Sequence, residues 1–205
     1  MAEETILTHE LNSCVDGEIV KIPFSGESEV YVAVLTEQQY QDYLDGKEVK
    51  CRTLTKSPAY FKIKGDGDRI VTIDLDGKPI KSINPGIVIR YSPLLTMSEI
   101  KNLTADIGTT YVANAHDSTL DDSMIQYWKD HQRKFSKIDL SQPTFRCPSC
   151  GQRVNTDTLN GAHVVKIKGA GDKQYITPTC EHCNKTKTDR IFKVSVWDLV
   201  DAPEE

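Results

Sequence analysis

The sequence predicts an α+β fold in three parts: an antiparallel β-sandwich over residues 15–92, a helical connector over 93–143 and a small cysteine-bearing module over 144–205. Three observations predict it. Short runs rich in Val, Ile and aromatics, largely alternating apolar with polar, fill residues 17–91, as half-buried antiparallel strands do. Helix-capping signals then replace that alternation. The last part carries two C-x-x-C pairs.

The strands expected in the first part are "GEIVKIPF", "EVYVAVL", "SPAYFKIK", "RIVTIDL" and "GIVIRY". "SGES", "GDGD", "DGKP" and "NPG" separate them, supplying Gly where a turn needs positive φ and Pro where φ must be fixed. "TEQQYQDYLDGK" interrupts the pattern. Thr36 and Gln39 have capping-box spacing and Gly46 is a stop, so one or two helical turns are expected there. From Gly17 to Tyr91 this stretch resembles a family of small bacterial all-β domains of unknown function that are sometimes found ahead of TIR domains. Tyr40, Tyr43 and Gly46 match its "F/Y-x-x-Y-x-x-G" segment, Ser57 and Pro58 an "SP" opening a strand, and Asp74, Leu75 and Gly77 its "DLxG" strand end. The resemblance implies a sensing or interaction domain and speaks to fold more than to chemistry.

In the connector, "TMSEIKNLTADIG" has Thr96 as an N-cap and Gly108 as a stop. "STLDDSMIQYWKDHQRKF" begins with Ser118 and Thr119, carries Asp121 and Asp122 in its first turn and ends in basic residues, which suits the helix dipole. Met124, Ile125, Trp128 and Phe135 form one apolar stripe, expected to pack on a neighbouring domain or subunit. His9, His116 and His131 lack ligand spacing and read as surface residues.

Composition limits the function classes. The net charge is −5 and 38% of residues are hydrophobic, enough for a core, with no apolar run approaching the roughly 18 residues of a membrane span. Residues 1–10 do not read as an export signal, so a cytoplasmic protein without a membrane partner is expected. In such a setting paired cysteines hold a metal or do redox chemistry more often than they form disulfides. Charge is uneven. Residues 1–142 hold 16 Lys+Arg against 22 Asp+Glu, whereas Lys166–Lys193 holds 7 against 3, so a phosphate backbone would be met there if anywhere. A solvated lysine face is the plainer reading.

Cys147 and Cys150 stand in "CPSCGQR", Cys180 and Cys183 in "CEHCNK", with 29 residues between the pairs. Each spacing lets two thiolates reach one ion from a tight turn, and four satisfy a tetrahedral Zn²⁺ with no position left for water. A redox dithiol or an iron–sulfur cluster is the alternative, and the βαβ setting of the former is absent. At about 60 residues the module has a marginal core, so an ion contributing about 10–16 kcal/mol decides whether it folds. Arg146, Lys185 and Lys187 are placed to offset the thiolate charge. Cys14 and Cys51, without such partners, read as buried small apolar residues.

Between the pairs lie a strand ending at "AHVVKIK", a turn "GAGD" and a strand "QYITP". Knuckle, hairpin and a helix starting at the second pair describe a treble clef (ββα). "GAHV" and "YITPTCEHCN" resemble the zinc-bearing HNH (His-Me finger) endonucleases of bacteria, over about Arg146 to Phe192. The resemblance implies that His163 matches the general base and Asn184 the helix ligand of a catalytic Mg²⁺ or Mn²⁺. Ala162 stands where the family has a metal ligand and Tyr175 where it has the Asn that orients the base. The same resemblance puts Lys166, Lys168, Lys173, Lys185 and Lys187 on the face offered to nucleic acid. His182 is expected to point outward, and His163 also reads as a plain hairpin residue.

Three functions are therefore open. The first is a degenerate, zinc-stabilised HNH-like module that binds DNA or RNA with little or no cleavage. The second is an active metal-dependent nuclease using His163. The third is an adaptor that binds a protein partner through the β-domain, with a purely structural zinc.

Overall fold

Alternation of buried and exposed side chains along the first 90 residues sets the strands, and their turns are set by Gly and by side chains that bind loop carbonyls. The computed structural model describes residues 6–25, 30–54, 57–74, 84–85, 87–103, 106–115, 124–168, 173–186 and 189–203. The chain is α+β with sheet dominant and divides into two units, Met1–Arg90 and Tyr91–Glu205. Among the described residues no helix is long and apolar enough to cross a membrane.

In the first unit β1 (Ile6–Cys14), β4 (Val30–Leu35), β5 (Arg52–Leu54) and β7 (Gly67–Asp74) make one antiparallel sheet in the order β1-β7-β4-β5. β2 (Ile19–Ile22) pairs antiparallel with β6 (Ala59–Lys62), with β9 (Ile89–Tyr91) on the other side of β2. β3 (Phe24–Ser25) pairs with β8 (Asn84–Pro85). Val32, Val71 and Ile73 from the first sheet meet Val20, Ile22 and Phe61 from the second in one buried cluster. α1 (Glu37–Leu44) begins on the expected box: the Thr36 hydroxyl accepts from the Gln39 amide and the Gln39 side chain accepts from the Thr36 amide. Gly46, at φ 76°, follows it, and the Tyr43 hydroxyl donates to Asp74 at the end of β7.

β1 lies outside the expected 15–92 boundary. Residues 8–10 are exposed in succession, so its alternation is too weak to read as a strand until pairing with β7 supplies the hydrogen bonds. "DGKP", Leu75, Gly77 and Gly86 fall outside the described residues. Cys51 is exposed, contrary to expectation, while Cys14 is buried and accepts a hydrogen bond from Arg90 at 3.6 Å.

That arginine anchors the first unit. Arg90 Nε and an η-nitrogen donate to the two oxygens of the fully buried Glu18 at 2.5 and 3.1 Å, and its other η-nitrogen donates to the Asn12 carbonyl at 2.8 Å. The Val15 amide also donates to Glu18, at 3.1 Å. A fork-on-carboxylate pair with its remaining donors used is the arrangement in which a buried ion pair is tolerated.

The second unit is built on five consecutive strands of one sheet, in the antiparallel order β16-β14-β13-β10-β15: β10 (Thr109–Asn114), β13 (Leu159–Lys166), β14 (Gln174–Cys180), β15 (Arg190–Ser195) and β16 (Val200–Asp201). β11 (Thr144–Arg146) and β12 (Arg153–Asn155) form a separate hairpin. Ala162, Val164, Tyr175 and Phe192 are buried together with Val112 and Val194. Ile176 and Val200 are buried with Trp128 of α3 (Met124–His131), whose indole N–H donates to the Asp198 carbonyl at 2.8 Å. α3 sits so close to β13 that a Cβ on Gly161 would lie 2.4 Å from the Met124 carbonyl carbon.

The expected helical connector is thereby corrected. α2 (Met97–Asn102) starts at Thr96 with Glu99 completing a capping box, but it ends at Leu103 in a left-handed conformation, before Gly108. "TTYVAN" is a strand flanked by β13 and β15, so residues 109–114 belong to the sheet of the cysteine-bearing module, and Tyr91–Glu205 forms one unit. Thr109, Thr110, Tyr111 and Val112 are strand formers, a signal masked by the helix-capping patterns on either side of them. Met124, Ile125 and Trp128 do pack on this unit's own sheet, whereas Phe135 lies beyond the helix, 61% exposed and edge-on to Trp197. Ser118, Thr119, Asp121, Asp122 and His116 lie outside the described residues.

Two measurements check this description. Glu18→Ala leaves Arg90 buried without its carboxylate and should destabilise the first unit by about 3–5 kcal/mol, while a Glu18→Met, Arg90→Met double variant recovers most of it; a denaturant titration showing under about 1 kcal/mol for Glu18→Ala would remove the pair from its anchoring role. Glu99 is held at about 2, against an ordinary 4.5, by the Thr96 amide, then by Lys193 at 2.9 Å and the Thr96 hydroxyl. A lowered folded value means its contribution is complete above about 4.5 and lost as pH falls toward about 2. Urea titrations across that window should show a shallower acid limb for Glu99→Gln than for the wild type, and equal limbs would refute the assignment.

Candidate metal centre

The first cysteine pair sits in a knuckle directly after β11. The Cys147 amide donates to the Gln152 carbonyl at 2.9 Å and the Gly151 amide returns to the Cys147 carbonyl at 2.8 Å. Gly151 has φ 77°, the left-handed region that favours glycine, and a Cβ there would also press on the Leu94 side chain at 3.1 Å. Ser92 fixes its far side by donating to the Pro148 carbonyl at 2.9 Å. The second pair straddles a strand-to-helix junction: Cys180 ends β14 and is the N-cap of α4 (Glu181–Lys185), its sulfur accepting from the Cys183 amide at 3.5 Å.

These two turns bring four sulfurs together. The Sγ atoms of Cys147, Cys150, Cys180 and Cys183 lie within 4.8 Å of one another and all four residues are buried. Cys150 and Cys180 Sγ are 3.7 Å apart. Metal–sulfur bonds of about 2.3 Å in a tetrahedron give sulfur–sulfur edges of about 3.8 Å, whereas a disulfide needs about 2.05 Å. The spacing is that of four ligands around one ion.

Electrostatics agree. The Cys180 amide donates to Cys147 Sγ at 3.5 Å. Hydrogen bonds from the Cys150, Cys180 and Cys183 thiols pull the Cys147 thiol far below its ordinary range, while Cys147 pushes Cys180 and Cys183 far above it. Four thiolates cannot share this volume without a cation, and a divalent ion displaces the protons they would otherwise keep. The donor set is closed and soft, so it suits a structural metal such as zinc.

The expected charge compensation is corrected. Arg146 turns to the Gly151 carbonyl at 3.1 Å, Lys185 pairs with Glu181 at 2.5 Å, and Lys187 lies outside the described residues. Among the described residues the cation that donates to a sulfur of the cluster is Arg190, fully buried at the start of β15, which donates to Cys183 Sγ at 3.6 Å and to the Ser149 hydroxyl at 3.2 Å. Asn114, buried at the end of β10, donates to the Cys183 carbonyl at 3.2 Å. Sequence reasoning missed both, because neither lies inside a C-x-x-C pair. The position of Arg190 seven residues past Cys183, opening an apolar strand, was the available signal.

The other sequence-predicted positions lie on the hairpin and α4. His163 is buried on β13 opposite Ile176, on the face shared with Gly161 and α3. Ala162 and Tyr175 are in the core cluster on the other face. Asn184 is half-buried on α4, and His182 is exposed as expected. Lys166 lies 4.4 Å from the Tyr175 ring centroid, Lys173 lies 5.6 Å from it and 3.1 Å from Asp201, and Lys168 is exposed. Among the described residues the four cysteines are the one group of three or more His, Cys, Asp or Glu side chains close enough to hold an ion.

No family model, curated protein or solved structure matches this chain.

Purified protein should carry about one tightly held divalent ion per chain, and cobalt substitution should give the absorption of a four-thiolate tetrahedron. Removal with a strong chelator should abolish hydrogen-exchange protection in β10 and β13–β15 and leave β4 and β7 protected, since the first unit supplies no ligand. Stoichiometry well below one, an iron–sulfur spectrum, or loss of protection in both units together would contradict this assignment.

Proposed function

We propose that the second unit is a zinc-stabilised treble clef of HNH type that has lost efficient cleavage and binds nucleic acid, joined to a β-sandwich that serves sensing or interaction. The observation that carries this reading is the junction itself: a knuckle, a two-stranded hairpin and a helix opening at the second cysteine pair, closed by four sulfurs within 4.8 Å. Zinc is the metal of choice because a closed thiolate tetrahedron needs neither redox activity nor an open position.

Loss of cleavage is supported by what surrounds His163. Hydrolysis of a phosphodiester needs an ion on the scissile phosphate and an oriented base, and together these supply several kcal/mol of barrier lowering. Ala162 offers no ligand atom, Tyr175 is occupied in the core, and among the described residues no second ligand cluster adjoins the hairpin. Forfeiting about 3–4 kcal/mol slows the reaction by two to three orders of magnitude. Binding is supported by Lys166 and Lys168 on the hairpin. Lys173 and Lys185 contribute less, because Asp201 and Glu181 already pair with them.

With two effective lysines among the described residues, the slope of log affinity against log salt should be about −2, so affinity for a duplex or single strand falls about tenfold between 50 and 200 mM salt. Lys166→Glu with Lys168→Glu should abolish the slope, and His163→Ala should leave binding unchanged. Mg²⁺- or Mn²⁺-dependent cleavage lost in His163→Ala would replace this reading with the nuclease. Absence of binding at low salt, together with a co-purifying protein held by the first unit, would replace it with the adaptor.

A further inference from the structure

The first unit holds 11 Lys+Arg against 15 Asp+Glu over residues 1–90, yet five of those cations line a single groove that no carboxylate among the described residues lines. The groove has a volume of about 320 Å³, within the range of small-molecule sites. Its floor is apolar, made by Val34 and Leu35 at the end of β4 and by Phe61 and Ile63 from β6 and the residue after it. Lys50, Arg52, Lys62, Lys64 and Arg69 form its walls. These residues come from separate segments of the chain, so folding rather than a run of sequence gathers the charge.

The cations are not spent on each other's neighbours. Among the described residues no carboxylate pairs with Lys50, Lys62 or Lys64, which are exposed at the groove. Arg69 is buried and immobilised, donating to the carbonyls of Lys64 and Gly65 at 2.7 and 3.0 Å and of Asp68 at 2.7 Å, so its charge is fixed beside the groove. Arg52 is exposed, but its guanidinium is held at two points: it lies 4.8 Å from the Phe61 ring centroid and donates to the Tyr60 carbonyl at 3.1 Å. A guanidinium held over an aromatic ring and exposed on its other side offers a surface to a second planar group.

Uncompensated cations repel one another, and their convergence over an apolar floor calls for a ligand with a multiply charged anionic end and a flat body. We infer that this groove binds a nucleotide, with the phosphates on Lys50, Lys62 and Lys64 and the base against Arg52 and Phe61. The volume suits a single free nucleotide better than a strand passing through. This site lies in the first unit and does not depend on the reading of the second.

Calorimetric titration of the full chain with ADP at low ionic strength tests it, with pyrophosphate and a short oligothymidylate as comparison ligands. ADP should bind one to one, more tightly than pyrophosphate. Lys62→Glu with Lys64→Glu should weaken it at least tenfold, whereas Lys101→Glu with Lys129→Glu, the same charge change at exposed positions of α2 and α3, should alter it less than twofold. Arg52→Ala removes no buried group and should erase the preference for ADP over pyrophosphate, which keeps the test decisive if the double reversal perturbs the fold. Absence of saturable ADP binding, equal weakening in the α2 and α3 control, or pyrophosphate binding as tightly as ADP would overturn the inference. Oligothymidylate bound at these residues without ADP binding would overturn it in favour of a single strand.

Discussion

Everything in the second unit follows from the need to hold four sulfurs within 4.8 Å of one another in a buried volume. As thiols they are small and nearly apolar, as thiolates they repel, and a divalent ion turns that repulsion into four bonds. The knuckle after β11, the end of β14 and the first turn of α4 owe their positions to this closure. Without the ion, α4 is a helix of barely more than a turn, which water does not support alone.

The closure is not confined to the cysteine pairs. Arg190 brings a cation from β15, within the expected 144–205 module, and Asn114 an amide from β10, outside it, and together they complete the surroundings of the sulfurs. That is why a strand from the supposed connector belongs to the same sheet: it fills the gap between β13 and β15 and ties down the Cys183 carbonyl. Sheet and metal site stabilise one another, and neither is a separable add-on.

Arginines do comparable work in the first unit by different means. Arg90 neutralises a buried carboxylate, and Arg69 gathers the carbonyls of the loop between β6 and β7. Both are forks with nearly every donor used, which lowers the penalty of burying the charge. Arg52, by contrast, keeps one face and several donors at the surface. The difference separates arginines that hold the fold from one available to a ligand.

The sequence by itself determined the four cysteines that cluster, the hairpin between the pairs, the capping boxes at Thr36 and Thr96 and the strands with strong alternation, because each is encoded by spacing within a few residues. Its alternating pattern along the hairpin also carried Ala162 and Tyr175, which the fold places in a core cluster. Only the tertiary structure decided that β1 is a strand, that β10 lies between β13 and β15, that Arg190 rather than Arg146 or Lys185 faces the sulfurs, that Cys51 is exposed and that five cations converge on one groove. The reason is physical. Spacing rules report which side chains share a turn or a face, whereas burial, charge compensation and sheet pairing depend on residues tens of positions apart whose approach is set by the packing of the whole unit.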